Sequence, residues 1–396
     1  MFEAFRERDY RAFWLTQFVS NIGSWMQTVA QGWLVYKLTD SEFLLGFVGF
    51  AGSAPAIFLM LPGGVLADQL ERKRVVALSQ WAQAGCALWL AIAIRLNHIT
   101  VWQIVAAALV VGIAQSFSAP AWQAMVVDLL DDRERLPNAI AMNSLQFNLS
   151  RAIGPALAGI ALSVWGSFWC FFLNAISFLP LIFVLGRLTR RQVISEDGAG
   201  AILTRLAEGL RYVRRDRVVL TLLAVVASAS LFGYPYVQLM PVLARHLFAD
   251  DRTGNAWLIG AIGAGAFAGA LVLGMSTPKR RIGTISGALL LFGVTLTAIA
   301  FVKDPWIVAG MLAICGLANV VGIALCNTTI QQRIPDAMRG RVLSMYTFAF
   351  FAFVPFGNLL AGLVAEQRGL ATTLVVLGAG VFATGVGMLV VLGIRR

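Results

Sequence analysis

The feature that most limits how this chain can fold is the spacing of its charges. Residues 12–36, 43–67, 75–94, 99–127, 218–244, 253–278, 282–302, 305–332, 342–365 and 369–394 contain no Asp, Glu, Lys or Arg. Residues 136–186 hold one charge, Arg151, and are long enough for two more helices with a break near Trp165 to Ser167. A helix needs about 20 apolar residues to cross a bilayer, and closed hydrogen bonding within the segment makes helices the natural spanning element. The runs therefore predict an all-α membrane protein with twelve transmembrane helices in two six-helix bundles. With 59% hydrophobic and only 13% charged residues, the composition does not suit a water-soluble surface. The first run, after a segment mixing acids and bases, is too long for a cleaved signal and reads as a retained anchor.

The net charge of +11 is distributed by side. With a cytoplasmic N-terminus, 24 of the 31 Lys and Arg fall in inner segments, six in outer ones, and Arg151 in a span. Both termini are thus expected on the cytoplasmic face of the inner membrane. This sidedness accounts for the basic residues without a nucleic-acid partner. Cys86, Cys170, Cys315 and Cys326 all fall inside predicted spans, with no metal or disulfide spacing. No metal or cofactor is expected.

The longest polar connection, 187–217, divides the chain into a bundle over 1–186 and a second over 218–396. Within it Leu203, Leu206, Leu210 and Val213 recur at helical spacing among arginines. That pattern fits either a helix lying on an anionic membrane surface or a plain linker helix. The halves echo each other: "GPALAGIALSVWG" from Gly154 and "GNLLAGLVAEQRG" from Gly357 match at Gly154 and Gly357, Gly159 and Gly362, and Gly166 and Gly369. Helix 5 therefore corresponds to helix 11. Duplicated bundles suit transport by rocking about a site near the midplane.

The stretch "GGVLADQLERKRVV" resembles the loop between helices 2 and 3 of the major facilitator superfamily, matched at Gly64, Asp68, Gln69, Arg72, Lys73 and Arg74, with Glu71 where the family usually has a second glycine. "SRAIGPALAG" resembles the helix 5 signature of the antiporter branch at Gly154, Pro155 and Gly159, beside Arg151. "LPNAIAMNSLQFNLSRAIGPALAG" and "PDAMRGRVLSMYTFAFFAFVPFGNLLAGLVA" are similar to the subgroup that contains the enterobactin exporter and the macrolide efflux proteins. The resemblance covers nearly the whole chain. It implies a monomeric secondary transporter that exports a small amphiphilic molecule, siderophore-like or drug-like, by alternating access with proton antiport. A lipid or lysophospholipid carrier of the same superfamily is the second reading. The arginine that drug–proton antiporters often carry in helix 4 is absent from residues 104–122.

In the family the equivalent of Asp68 meets the N-terminus of helix 11, here near Arg341, and the equivalent of Arg72 reaches an acid at the end of helix 4, here Asp128. The resemblance thus implies that Gly64, Asp68, Arg72, Arg74 and Asp128 form a conformational latch. The plainer reading is that Arg72 to Arg74 only fix orientation.

On helix 1, Gln17, Asn21, Ser24, Thr28 and Gln31 recur at four and three residues and form one polar stripe. Such groups cost several kcal/mol each if left unsatisfied in hydrocarbon, so the stripe faces protein or water. It either lines a cavity, with Trp25 beside it, or glues helices together. Further candidates for the cavity are Gln115, Asn148, Tyr234, Tyr236, Gln238, Asn319 and Asn327, with Pro235 expected to bend helix 7. Arg151 lies deep in helix 5 with no acid at its depth, and either receives an anionic group of the cargo or is satisfied structurally by carbonyls and water. Because no carboxylate falls inside a span, Glu366 at the outer end of helix 11 and the Asp68 and Asp128 cluster are the nearest candidates for a titrating acid. Neither a phosphate-binding Gly-x-x-x-x-Gly-Lys loop nor a Gly-x-Ser-x-Gly or His-Glu-x-x-His motif occurs, so a pump driven by nucleotide and a membrane enzyme are both disfavoured. A passive channel fits two echoing halves poorly.

Overall fold

The computed structural model describes residues 3–60, 63, 70–188, 208–275 and 280–393, with nothing described of the side chains at 133, 137, 144, 148, 336, 337, 339, 340 and 393. The described residues are helical almost throughout. We number the long helices α1 (Arg8–Thr39), α2 (Glu42–Met60), α3 (Arg72–Arg95), α4 (Val101–Asp128), α5 (Leu136–Val164), α6 (Ser167–Arg187), α7 (Arg217–Leu247), α8 (Asp251–Met275), α9 (Arg281–Ile299) and α10 (Pro305–Arg333). The helical stretch Asp336–Gly393 is two elements, α11 and α12, broken at Gly369, whose φ of 81° and ψ of 164° are not helical. Ten stretches are long and apolar enough to span a bilayer, counting α11 and α12 as one. Separating that pair and adding α1, whose polar stripe keeps it out of the ten, gives twelve long helices among the described residues.

The turn between α5 and α6 is closed by Gly166 at φ 87°, and that between α11 and α12 by Gly369 at φ 81°. These are the two glycines of positive φ among the described residues, and they are also partners in the sequence echo. An L side chain is strained in this region, so the repeated "WG" and "RG" turns depend on a residue without Cβ. α7 is interrupted where Pro235 opens a 3-10 turn over Pro235–Leu239, since proline cannot continue the helical hydrogen bonding of the preceding turn.

Two compact units emerge. One comprises Met1–Asp40, Ala51–Glu196 and Asp250–Gly260; the other comprises Ser41–Phe50, Asp197–Ala249 and Ala261–Arg396. Relative to a division at 187–217, the units trade the first turns of α2 and of α8. Small residues are the reason. In the first unit a Cβ added at Gly159 of α5 would lie 2.7 Å from the Ala256 Cβ of α8; in the second, one added at Gly362 of α11 would lie 2.8 Å from the Glu42 carbonyl oxygen of α2 and 3.0 Å from the Gly46 Cα. Without a hydrophobic force between helices in lipid, such close backbone approach supplies the packing energy.

The first unit is closed at its basic end by a zipper between α1 and α5. The Tyr10 hydroxyl lies 3.0 Å from the Ala139 carbonyl oxygen and 3.1 Å from Asn143 Oδ1, Trp14 Nε1 donates to the Met142 carbonyl at 3.1 Å, and Gln146 Nε2 donates to the Trp14 carbonyl at 2.6 Å. Glu7 just before α1 pairs with Arg135 at 2.7 Å. The second unit repeats the device: Glu208, before α7, pairs with Arg341 at the start of α11 at 2.5 Å.

Candidate functional site

The echoed glycines occupy equivalent contacts. Gly154 on α5 faces α1, where an added Cβ would collide with the Trp25 Cβ and lie 3.0 Å from the Ile22 carbonyl oxygen; Gly357 on α11 faces α7, colliding with the Leu231 carbonyl oxygen and lying 2.6 Å from Pro235 Cγ. One helical face further on, Gly159 meets α8 and Gly362 meets α2. Thus α5 and α11 each pack on the first helix of their own half through one glycine and on the second helix of the other half through the next. Pro155, beside Gly154, is buried.

At the end of α2 the predicted latch residues Gly64 and Asp68 lie outside the described residues, as do Gln69, Leu203 and Leu206. Gly63 is described, and a Cβ there would lie 2.6 Å from the Ser116 carbonyl oxygen of α4, so α2 and α4 approach closely at this point. Arg72, at the start of α3, donates from Nη1 to Asp128 Oδ2 at the end of α4 at 2.8 Å. Arg74 pairs with Glu71 at 2.8 Å instead of joining that contact. In the second half Arg281, at the start of α9, donates to the side-chain oxygen of Gln332 at the end of α10, so an amide replaces the carboxylate. Lys73 Nζ reaches the Leu188 carbonyl oxygen at 3.2 Å. Of the linker, residues 208–215 are helical with Leu210 exposed and Val213 buried.

The polar stripe of α1 is half exposed along most of its length. Gln17 is the most buried, with Nε2 donating to Asn21 Oδ1 at 2.9 Å; the hydroxyls of Ser24 and Thr28 turn back onto the carbonyls of Ser20 and Ser24, both at 2.9 Å; Gln31 is half-buried. A second polar set on α1, which the sequence reading did not single out, ties it to α6 and α3. Asn174 of α6 donates to Gln27 Oε1 at 2.7 Å, and the Ser20 hydroxyl meets Gln80 of α3 at 3.5 Å. The periodicity of α1 carries both sets; only the tertiary contacts separate them.

The other cavity candidates divide. Gln115 of α4 donates to Gln83 Oε1 of α3 at 3.3 Å, tying two adjacent helices. Tyr234 packs edge-on against Phe350 of α11 at 6.0 Å and stays half-buried. Tyr236, expected on the cavity wall, is instead fully buried with its ring 5.6 Å from that of Phe292 on α9. Tyr236 lies in the 3-10 turn directly after Pro235. Gln238 is half-buried beside Gly49 of α2 and Asn358 of α11: a Cβ at Gly49 would lie 2.8 Å from Gln238 Nε2 and 2.9 Å from Asn358 Nδ2. Asn319 is half-buried, and Asn327 accepts from Gln331 Nε2 one turn away at 2.9 Å. Asn148 lies within α5, with its side chain outside the description.

Arg151 is 8% exposed and falls midway along the span Asn138–Val164. Among the described residues its partner is the ring of Trp25, 5.7 Å from the guanidinium carbon. An arginine at a helix centre costs about 2.5–3.5 kcal/mol on insertion scales. A desolvated cation–π contact returns about 2 kcal/mol, so the ring alone does not offset that cost.

At the ends of α2 and α8 far from the basic segments, each unit holds the incoming helix by polar contacts. Glu366 Oε2 of α11 accepts from the Phe43 backbone N–H and the Ser41 hydroxyl, both at 3.0 Å, at the N-terminus of α2. In the first unit Trp33 Nε1 donates to Asp251 Oδ1 at 2.9 Å and Asn255 Nδ2 donates to the Val29 carbonyl at 3.1 Å, joining α8 to α1. Lys37 and Arg252 both lie over the Trp33 ring, at 4.8 and 5.2 Å.

A family model described as transmembrane secretion effector matches residues 1–393. The multidrug efflux pump Tap of Mycolicibacterium fortuitum is 27% identical over 380 residues, covering 92% of this chain and 91% of that protein. The staphyloferrin A transporter of Staphylococcus aureus is 24% identical over 381 residues, covering 92% of each. Among solved structures the nucleoside transporter NupG superposes with a TM-score of 0.73 over 98% of this chain and 100% of that one at 14% identity, a likeness of fold alone.

Proposed function

Because the chain belongs to the transmembrane secretion effector family of the major facilitator superfamily, we propose that it is a secondary exporter of a small amphiphilic molecule, drug-like or siderophore-like, across the cytoplasmic membrane. The carrying observation is the duplicated set of glycine contacts: α5 on α1 and α8, α11 on α7 and α2. Equivalent helix pairs in both halves supply the symmetric hinge surfaces that alternating access requires. In this reading 1–186 and 218–396 rock as a monomer, joined by 187–217, with both termini cytoplasmic. The Arg72 and Asp128 pair, with Asp68 and Gly64, biases one end state, and Glu366 at the start of α2 biases the other. Proton entry drives the cargo outward. The stripe from Gln17 to Gln31, half exposed along most of α1, supports a cargo with polar groups.

The test is uptake into inside-out membrane vesicles with an imposed inside-acid gradient, offering a macrolide, an organic cation dye and a siderophore. Accumulation that collapses with a protonophore is expected. No accumulation of any of the three in vesicles rich in the protein removes the exporter reading, and accumulation indifferent to the gradient removes proton antiport.

A further inference from the structure

We propose that Arg151 and Trp25 form a receptor for the carboxylate, or a like anionic group, of a cargo with an aromatic or apolar body; this rests on the exporter reading above. Three observations carry it. First, Arg151 is a fixed charge nine-tenths buried at the middle of a span, where an ionisable group is retained for a pathway or a partner. Second, no carboxylate among the described residues forms an ion pair with it, and its described partner is the Trp25 ring, 5.7 Å from the guanidinium carbon. A guanidinium seated on an aromatic face still offers a planar fork to a carboxylate, and that two-bond geometry is the strong form of the contact. Third, an apolar wall adjoins the charge. Phe147, one turn before Arg151 on α5, meets the Trp25 ring edge-on at 6.0 Å and is half exposed. Gly154, one turn after it, brings α1 close enough to put Trp25 there, since any Cβ at 154 would collide with the Trp25 Cβ. Charge and aromatic surface are thus held side by side by the same helix crossing. A neutral cargo would leave the charge unmet, and a cationic one would be repelled. An arginine serving only as packing for Trp25 would give no preference between an acid and its amide.

The experiment measures binding by the full chain in nanodiscs of zwitterionic lipid, so that no lipid anion competes. The probes are 2-naphthoate, 2-naphthamide and 2-naphthylmethylammonium, alike in body and different in charge. The wild type is expected to bind the acid about tenfold or more tightly than the amide, and the ammonium most weakly. Arg151→Gln should make acid and amide equal. Arg151→Lys should keep the acid first with a smaller ratio, because a point charge lacks the fork. Equal binding of acid and amide by the wild type, no binding of the acid, or a ratio that survives Arg151→Gln overturns the proposal. If Arg151→Gln does not insert, the wild-type ratio and Arg151→Lys decide on the same terms. Flux of cargo in vesicles with no acid preference in binding removes this inference and leaves the exporter reading standing. Acid-selective binding with no flux of any cargo does the reverse.

Discussion

Replacing Glu366 should loosen the first turn of α2 by an amount that the geometry sets in advance. The same carboxylate oxygen accepts from the Phe43 N–H and the Ser41 hydroxyl, both at 3.0 Å, so Glu366 acts as a cap supplied by α11 to the N-terminus of α2. Glu366→Gln keeps an oxygen able to accept both bonds and removes the charge, worth about 0.3–1 kcal/mol against a helix N-terminus. Glu366→Ala removes the acceptor as well and should cost about 0.5–2 kcal/mol, the range for lost caps. At about 1.4 kcal/mol per factor of ten, local opening at Phe43 should rise about two- to fivefold for Gln and up to about thirtyfold for Ala. Hydrogen–deuterium exchange of the peptide covering Ser41–Phe50 reads this directly, because the amide exchanges only when the cap opens. The close approach of Gly46 and Gly362 remains in both variants, so protection deeper in α2 should persist. Unchanged exchange at Phe43 in Glu366→Ala would refute the capping role and with it the idea that Glu366 biases an end state.

Two further outcomes follow from the repeat. Gly166→Ala and Gly369→Ala should each cost about 1–2 kcal/mol, because both residues sit at positive φ with no atom within 4 Å of an added Cβ, leaving backbone strain as the whole penalty; a difference of several kcal/mol between the two in thermal unfolding would contradict their equivalence. Asp128→Asn should cost less than about 1 kcal/mol, since the second half already pairs Arg281 with the amide of Gln332, whereas Asp128→Ala should cost about 1.5–3 kcal/mol through loss of a bond to a charged group. A melting temperature of the Ala variant equal to that of the wild type would show that the contact contributes nothing.

Much of the fold was legible because the bilayer imposes a length. A charge-free run of about 20 residues has one stable way to satisfy its backbone in hydrocarbon, so the helices could be counted before any contact was known. The glycine echo was legible too, and its meaning emerged when Gly154 and Gly357 met equivalent helices and Gly166 and Gly369 adopted the same backbone conformation. The candidate site was read less well. Helical spacing shows that Gln17, Asn21, Ser24, Thr28 and Gln31 share a face, but it is silent on what that face meets, and it gave Gln27 and Ser20 no special weight although they bind α6 and α3. Tyr236 is buried against Phe292 of α9, a partner that no spacing within helix 7 reveals.

By itself, then, the sequence determined the class, the number of helices and the points where backbones must come close, since these follow from local length, hydrophobicity and the absence of a Cβ. The tertiary structure decided the partners: Trp25 for Arg151, Gln332 for Arg281, and Glu366 for the free N–H of α2. Those pairings join residues 51 to 323 positions apart along the chain or set on facing helices, and no periodicity within one helix encodes which neighbour will face it.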